Sequence, residues 1–267
     1  MGGIVPVLIR ILSTCLLLFF INSVLPVHAG AFKVFPLKLN LDQKKKTILF
    51  KITNTGEKAV TVQLESALWL QDDQGDDQYK PTRDIVYFPK IVKVAVGEER
   101  IVRIGYRGKP ASKTEKSYRL FAQELPERSE LNGALSFALR FSVPIFVLAK
   151  NSNPIPNLTK TVMKNGKVYV HMENKGTKHM VVSSIAVKGM SSGDKELFSE
   201  TGNGWYVLPQ SSKPFPVTLP EEPCGRAESL KFDVEAANKV FKQSQKVNHS
   251  ECVMVESLEN KTPNLSQ

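Results

Sequence analysis

Alternating apolar and polar positions dominate the chain from residue 32 onward. The clearest run is "ALSFALRFSVPIFVL", residues 134–148, where every second position is apolar: Leu135, Phe137, Leu139, Phe141 and Val143. Successive side chains of a strand point to opposite faces, so this run predicts a long strand with one strongly apolar face. Either the protein's own core or another chain must cover that face.

The same alternation predicts about seven short strands between residues 32 and 148, separated by turns such as "NTGEK" and "VGEE". Short strands at regular spacing with polar turns are typical of an immunoglobulin-like β-sandwich. "AKNSNPIPNL", 149–158, is rich in Pro and Asn and predicts a linker. Further alternating segments follow, and helical periodicity is nowhere sustained. We therefore expect an all-β protein with domains at 30–148 and 159–258 and a loose tail at 259–267.

The N-terminal 29 residues have the composition of a secretory signal. Arg10 precedes the apolar segment "ILSTCLLLFFINSVLPV", and the small residues of "VHAGA" follow it. This order predicts a signal peptide at 1–29, with either Val27 and Ala29 or Ala29 and Ala31 as the small residues before the cut, and export of the mature chain. The alternative is an uncleaved membrane anchor, but Asn22, Ser23 and Pro26 interrupt the apolar run.

Export determines how the cysteines are interpreted. Cys15 lies in the signal, which leaves Cys224 and Cys252 in the mature chain. A pair of cysteines in an oxidising compartment forms a disulfide more often than a metal site or a nucleophile. We expect these two residues to be bonded, with a role in stability.

The chain carries a formal net charge of +10 at pH 7, which is compatible with nucleic acid, a membrane surface or an acidic protein as partner. The basic run Lys44–Lys46 follows a turn and is interpreted as a solvated loop. Neither a Cys/His finger nor an aromatic RNA-binding pattern accompanies it. Nucleic acid is therefore not expected as a partner.

Catalytic motifs are missing from the sequence. It contains no G-x-S-x-G, H-E-x-x-H, Walker or G-x-G-x-x-G pattern, and the mature histidines His171, His179 and His249 are scattered. The acidic loop at 72–77 offers carboxylates for calcium but lacks the spacing of a calcium-binding loop, so a solvated loop is the better interpretation. We expect no enzyme activity, no cofactor and no metal.

The strand at 134–148 is long, since strands usually have about five or six residues. It also comes last in its domain, where a strand is often at the edge of a sheet. A long apolar edge strand promotes aggregation unless a partner pairs with it. Strand addition is a known binding mode, in which backbone hydrogen bonds give affinity and alternate side chains fill pockets.

Several segments resemble a known family in order and spacing. "FKVFPLKLNL", "TILFKITNTGEKAVTVQLESALWLQD", "PKIVKVAVGEERIVRIGY", "YRLFAQELP" and "LSFALRFSVPIFV" resemble the N-terminal domain of periplasmic pilus-assembly chaperones, the PapD-like family. "YVLPQSSKPFPV" resembles part of their second domain, and the combination is closer to the archaic, spore-coat-protein-like branch. The resemblance implies two immunoglobulin-like domains in an L or boomerang arrangement and a periplasmic location.

The resemblance also implies a mechanism and partners. The last strand of the first domain is donated to a fimbrial subunit that lacks its own final strand, and an outer-membrane usher receives the loaded subunit. The matching positions for the donated apolar side chains are Leu135, Phe137 and Leu139, with Phe141 as an extension. No cofactor is implied, and the free form has a reason to self-associate, because association would cover the apolar strand.

The family further holds the subunit's C-terminal carboxylate with two basic residues in the interdomain cleft. Lys38 of "PLKLN" matches the first, while Pro144 occupies the second position and cannot bind an anion. Arg140 and Arg103 are candidate helpers. The alternative to the chaperone is a secreted or surface adhesin made of tandem immunoglobulin-like domains, in which strand 134–148 would be internal core and Lys38 incidental.

Overall fold

The structure is a computed structural model that describes residues 32–125 and 138–253. The predicted signal peptide, two predicted donor positions (Leu135 and Phe137) and the predicted tail lie outside the described residues. Within the described ranges, no helix has the length and apolar character that crossing a membrane requires.

The first domain is a sandwich of two sheets. Its described strands are β1 (Phe32–Phe35), β2 (Leu39–Leu41), β3 (Thr47–Asn54), β4 (Val60–Gln71), β5 (Asp77–Pro81), β6 (Ile85–Phe88), β7 (Ile91–Val94), β8 (Glu99–Tyr106), β9 (Lys116–Leu125) and β10 (Arg140–Val147). One sheet has the order β1-β3-β8-β6, and the other has the order β2-β10-β9-β4-β5, with β7 also paired to β4.

Two prolines mark the places where the chain changes sheets. Pro36 separates β1 from β2, and Pro89 separates β6 from β7; in both cases the two strands belong to different sheets. Proline has no N–H to donate to a ladder, so a strand ends readily beside it. These two breaks account for two of the strands beyond the seven that the alternation predicts, and β5, which has no fully buried residue, is the third.

The second domain is also a sandwich. Its elements are β11 (Pro156–Lys164), β12 (Lys167–Asn174), β13 (Met180–Met190), β14 (Glu196–Gly202), β15 (Tyr206–Val207), β16 (Ser211–Thr218), the short helix α1 (Glu221–Arg226), β17 (Ser229–Ala236), β18 (Lys239–Lys246) and a 3-10 turn at His249–Glu251. The sheets have the orders β11-β12-β16 and β14-β13-β17-β18, with β15 paired to β13. The expected all-β fold with two immunoglobulin-like sandwiches is confirmed.

The connection between the sandwiches is shorter than the predicted linker. It spans 148–155, because β11 begins at Pro156 and pairs with β12. None of the β11 residues is fully buried, so the strand lacks the apolar alternation by which the others are predicted.

Each domain has its own core, and the predicted disulfide staples the second one. Cys224 of α1 and Cys252 after the 3-10 turn are bonded, with an S–S distance of 2.01 Å and a sequence separation of 28. Both cysteines are buried in the second core. The predicted disulfide is confirmed.

A third apolar cluster joins the domains. Trp69 of β4 and Phe146 of β10 pack with Leu208, which follows β15, and all three are buried. The adjoining Tyr206 ring lies 5.6 Å from Trp69 and 5.6 Å from Phe146. The face of the second sheet that would otherwise meet solvent is therefore covered here by the second domain.

Candidate functional site

The last strand of the first domain has one edge that is largely open. β10 pairs with β9 along its whole length, Arg140 to Val147. Its other edge pairs with β2, in parallel, only at Ile145 to Val147. Among the described residues, 140–144 therefore have no strand partner on that side. An edge of this kind presents unpaired backbone groups to an incoming strand.

The direction of these backbone groups follows from the pairing. The N–H of Glu124 donates to the Leu139 carbonyl at 2.9 Å, so Leu139 faces β9. Neighbouring residues of a strand direct their backbone groups to opposite edges. Arg140, Ser142 and Pro144 consequently direct theirs toward the open edge. Proline is tolerated at this position because no ladder bond to β9 requires its N–H.

The apolar face of β10 becomes more buried along the strand. Val143, Ile145 and Val147 are buried in the first core, while Leu139 and Phe141 are half-buried and pack against it. The Phe141 ring meets Phe32 edge-on, with centroids 5.0 Å apart. The protein's own core thus covers the C-terminal half of this face and covers the predicted donor positions Leu139 and Phe141 only in part.

The three predicted cations lie at different places. Lys38 is exposed between β1 and β2. Arg140 is exposed at the start of β10, with its guanidinium carbon 4.2 Å from the centre of the Phe121 ring. Arg103 is exposed on β8, which belongs to the other sheet. The structure therefore does not bring Arg103 and Arg140 onto one sheet, and the role of Lys38 stays a prediction.

A different cation lies beside the open edge. Arg119 of β9 is opposite Pro144 in the register and is only 1% exposed. Its Nη1 donates to the Ser142 carbonyl at 3.3 Å. Among the described residues, its Nε and Nη2 have no hydrogen-bond partner. Burial of a charged group without a partner costs free energy. Binding of an anion to this guanidinium would recover part of that cost.

Aromatic rings surround the guanidinium of Arg119. Its carbon lies 3.7 Å from the centre of the Trp69 ring, 5.2 Å from Trp205 and 5.8 Å from Tyr206. Burial lowers the pKa of Arg119, and the nearby Tyr79, Asp77 and Tyr206 oppose this effect. Because the ordinary pKa of arginine is so high, the group stays charged. The result is a desolvated cation with two free donors.

The domain interface next to Arg119 is fixed by a buried pair. His179 Nδ1 lies 2.9 Å from both carboxylate oxygens of Glu115, and the His179 backbone N–H donates to Oε1 at 2.7 Å. The imidazole stacks on Phe146 with centroids 3.6 Å apart. This histidine has a structural partner, and it connects the second domain to the strands that carry the site.

Arg119 is the residue of the site that the sequence pattern does not reveal. In "YRLFAQ" the alternation assigns Tyr118, Leu120 and Ala122 to the core and places Arg119 on the opposite face, where a charged residue is ordinary. Tyr118, Arg119 and Leu120 are in fact all buried, because the second domain covers the outer face. No signal in the sequence marks Arg119, because its position opposite Pro144 is visible only in the three-dimensional register.

The acidic loop is held by its own hydrogen bonds. Asp72 Oδ1 accepts from the backbone N–H groups of Gln74 and Asp76, and Oδ2 accepts from the Gln78 side chain. The bonds from Asp76 and Gln78 are the main causes that lower the pKa of Asp72. Within the described part of the chain, no group of three or more His, Cys, Asp or Glu residues is placed to hold a metal.

Comparison with known proteins agrees with this architecture. Residues 31–152 match the family described as pili and flagellar-assembly chaperone, PapD N-terminal domain. Comparison with curated protein sequences finds no match.

Solved structures share the fold over both domains. One is the CsuC-CsuE chaperone-tip adhesion subunit pre-assembly complex from archaic chaperone-usher Csu pili of Acinetobacter baumannii, with 20% identity, a TM-score of 0.56, and 80% of this chain and 98% of that chain covered. Another is the YadV chaperone, with 14% identity, a TM-score of 0.55, and coverage of 81% and 100%. A third is the Salmonella enterica SafA pilin in complex with the SafB chaperone, with 14% identity, a TM-score of 0.51, and coverage of 82% and 98%.

The likeness to these structures shows the fold, and the match over 31–152 shows the family of the first domain. The strands of that domain, the partly open edge of β10 and the second sandwich packed against it agree with the predicted resemblance. The first domain of this chain belongs to the family of PapD-type pilus-assembly chaperones, and the whole described chain has their two-sandwich fold.

Proposed function

We propose that this protein is a periplasmic chaperone that binds fimbrial subunits by donating a strand to them and delivers them to an outer-membrane usher. One observation carries the proposal: the open edge of β10 runs directly beside the buried, incompletely partnered guanidinium of Arg119. An incoming strand could form backbone hydrogen bonds with the open edge, and its terminal carboxylate could bind the guanidinium of Arg119.

The first step is the pairing of a subunit strand with β10. Arg140 and Ser142 offer outward backbone groups, and Pro144 ends the series of donors. The apolar side chains of Leu135, Phe137 and Leu139 are proposed to fill the subunit's groove, with Phe141 as an extension. Burial of each large apolar side chain contributes roughly 1.5–3 kcal/mol, before the cost of ordering the partners.

The second step is the binding of the subunit's terminal carboxylate. We assign the main contact to Arg119, with Lys38 as the predicted second cation. An arginine fork binds both oxygens of a carboxylate through parallel hydrogen bonds. The low dielectric of the interface strengthens this interaction relative to one at the surface. The carboxylate would thereby fix how far the subunit strand extends along β10.

Two similar structures support the assignment of partners. One is a complex of a chaperone with a tip adhesion subunit, and the other is a complex of a pilin with its chaperone. By analogy, the partners of this chain are fimbrial subunits. The proposed mechanism requires no nucleotide and no metal ion, because strand pairing, apolar burial and carboxylate binding supply its interactions.

Co-expression tests the proposal. The mature chain is produced with the small secreted proteins encoded beside it, and complexes are isolated by pull-down. We expect a stoichiometric complex that is lost in Phe137→Glu and Leu139→Glu. Val240→Glu is the matched control, since Val240 is 62% exposed on β18 of the second domain.

The same assay tests the cations. Lys38→Ala should weaken capture more than Lys239→Ala, a change of the same kind on β18. Equal losses would remove Lys38 from the site. If Phe137→Glu unfolds the free protein and no neighbouring protein is captured, the strand is internal core and the tandem-domain adhesin becomes the better account.

A further inference from the structure

Trp205 crosses the domain interface above the proposed anion site. It lies in the irregular segment between β14 and β15, and its indole Nε1 donates to Asp77 Oδ2 at 2.9 Å. Asp77 is the first residue of β5 in the other domain. This hydrogen bond therefore joins the second domain to the edge of the sheet that carries Arg119.

The indole covers one side of the guanidinium. The guanidinium of Arg119 contacts two tryptophan rings, with its carbon 3.7 Å from the centre of the Trp69 ring and 5.2 Å from that of Trp205. Trp69 is buried in the interface, whereas Trp205 is 41% exposed. The route from solvent to the free donors of Arg119 is therefore more easily opened at Trp205 than at Trp69.

Movement of Trp205 would leave the rest of the interface intact. The indole takes no part in the buried pair of Glu115 and His179. It also takes no part in the bond that Gln71 Nε2 donates to the Tyr206 carbonyl or in the bond that the Leu208 N–H donates to Gln71 Oε1. A rotation of the Trp205 side chain breaks one hydrogen bond, the edge-on contact with the Tyr206 ring at 5.8 Å, and the longer of the two tryptophan contacts to Arg119. Such a rotation is a local event in an exposed side chain.

We propose that the indole of Trp205 is a lid over Arg119, held closed by Asp77, which opens to admit the terminal carboxylate of a client. The identity of the anion rests on the proposed function, but the lid itself does not. In the closed state the cation is inaccessible to small anions from solvent. A client already paired with β10 presents its carboxylate at high effective concentration and displaces the ring.

The lid can be tested on the free protein with phenylglyoxal, a reagent that modifies arginine side chains. The rate of modification of Arg119 is followed by peptide mass spectrometry, with the exposed Arg103 as the reference in the same sample. We expect Arg119 to react much more slowly than Arg103 in the natural protein. In Trp205→Ala the rate at Arg119 should rise by about tenfold or more, the factor that corresponds to losing about 1.4 kcal/mol of closing free energy.

Two further variants distinguish the hydrogen bond of Trp205 from its ring contact and control for loss of an unrelated exposed ring. Trp205→Phe keeps a ring but loses the N–H, so it should give an intermediate rate. Phe88→Ala removes an exposed ring from β6 in the other sheet and should leave the rate at Arg119 unchanged. An unchanged rate in Trp205→Ala would overturn the lid, as would equal rates at Arg119 and Arg103 in the natural protein.

The outcomes distinguish the lid from the proposed function. If modification of Arg119 is faster in Trp205→Ala but the protein captures no neighbouring subunit, the lid is supported and the subunit carboxylate is refuted as its ligand. Capture of a subunit that depends on Arg119, together with an unchanged rate in Trp205→Ala, would support the chaperone and refute the lid. Thermal unfolding of each variant confirms that its second domain is folded.

Discussion

Replacement of Arg119 by methionine should change the stability of the free protein little while it abolishes subunit capture. Arg119 is 1% exposed and opposite Pro144 on the neighbouring strand. Within the described residues its one hydrogen bond, from Nη1 to the Ser142 carbonyl, is long at 3.3 Å. Methionine fills a similar volume with a flexible apolar side chain, so Arg119→Met removes the charge without leaving a large cavity.

The expected magnitude follows from the contacts. Replacing buried charged groups by apolar residues of similar volume is often neutral or stabilising by about 1–4 kcal/mol. Against this stand the hydrogen bond to Ser142, worth about 1 kcal/mol, and the contact with the Trp69 ring at 3.7 Å, worth up to about 2 kcal/mol for a desolvated cation. These contributions largely cancel, so we expect the free energy of unfolding to change by less than about 2 kcal/mol in either direction.

Urea unfolding followed by tryptophan fluorescence measures this difference, and pull-down measures capture. Arg103→Met is the control, because Arg103 is exposed on β8 of the other sheet and should change stability by no more than about 0.5 kcal/mol. If Arg119→Met is destabilised by more than about 2 kcal/mol, the guanidinium is a structural requirement of the interface. That result would refute the assignment of Arg119 as the residue that binds the anion.

Three further predictions concern the framework of the site. Loss of the bond between Cys224 and Cys252, which are 28 residues apart, should lower the unfolding free energy of the second domain by about 3.5 kcal/mol, measured for the double serine variant. Burial raises the pKa of Tyr118 above its ordinary value of 10.0, so the unfolded chain releases this proton first. Stability should therefore fall above pH 10, by up to about 1.4 kcal/mol per pH unit, and less steeply in Tyr118→Phe. His179→Ala leaves the Glu115 carboxylate buried without its imidazole partner and should cost about 3 kcal/mol; a cost below about 0.5 kcal/mol would show that the pair does not hold the interface.

The pattern of the sequence predicts the fold well where one face of a strand meets its own core. Alternation finds β3, β4, β8 and β10, because each contributes every second residue to a sandwich core. It does not find β11, which has no fully buried position. The disulfide was predictable from two cysteines and the predicted export, since compartment and number restrict the alternatives.

The candidate site was less predictable, because it depends on contacts between distant parts of the chain. The open edge of β10 follows from the short pairing with β2, which begins only at Ile145. Arg119 is buried because the second domain covers the outer face of β9. The pattern of residues within one strand cannot predict such a contact. The resemblance to a family predicts the donor strand and Lys38, while only the three-dimensional register brings Arg119 next to Pro144.

Residue-resolved amide exchange of β10, with and without a captured subunit, tests the central claim most directly. Phe141 and Val143 direct their N–H groups to β9 and should be protected in both states, while Arg140 and Ser142 direct theirs to the open edge and should exchange rapidly in the free protein. Strand donation predicts that these two amides become protected in the complex. Protection of Arg140 and Ser142 already in the free protein, or their continued rapid exchange in the complex, would contradict it.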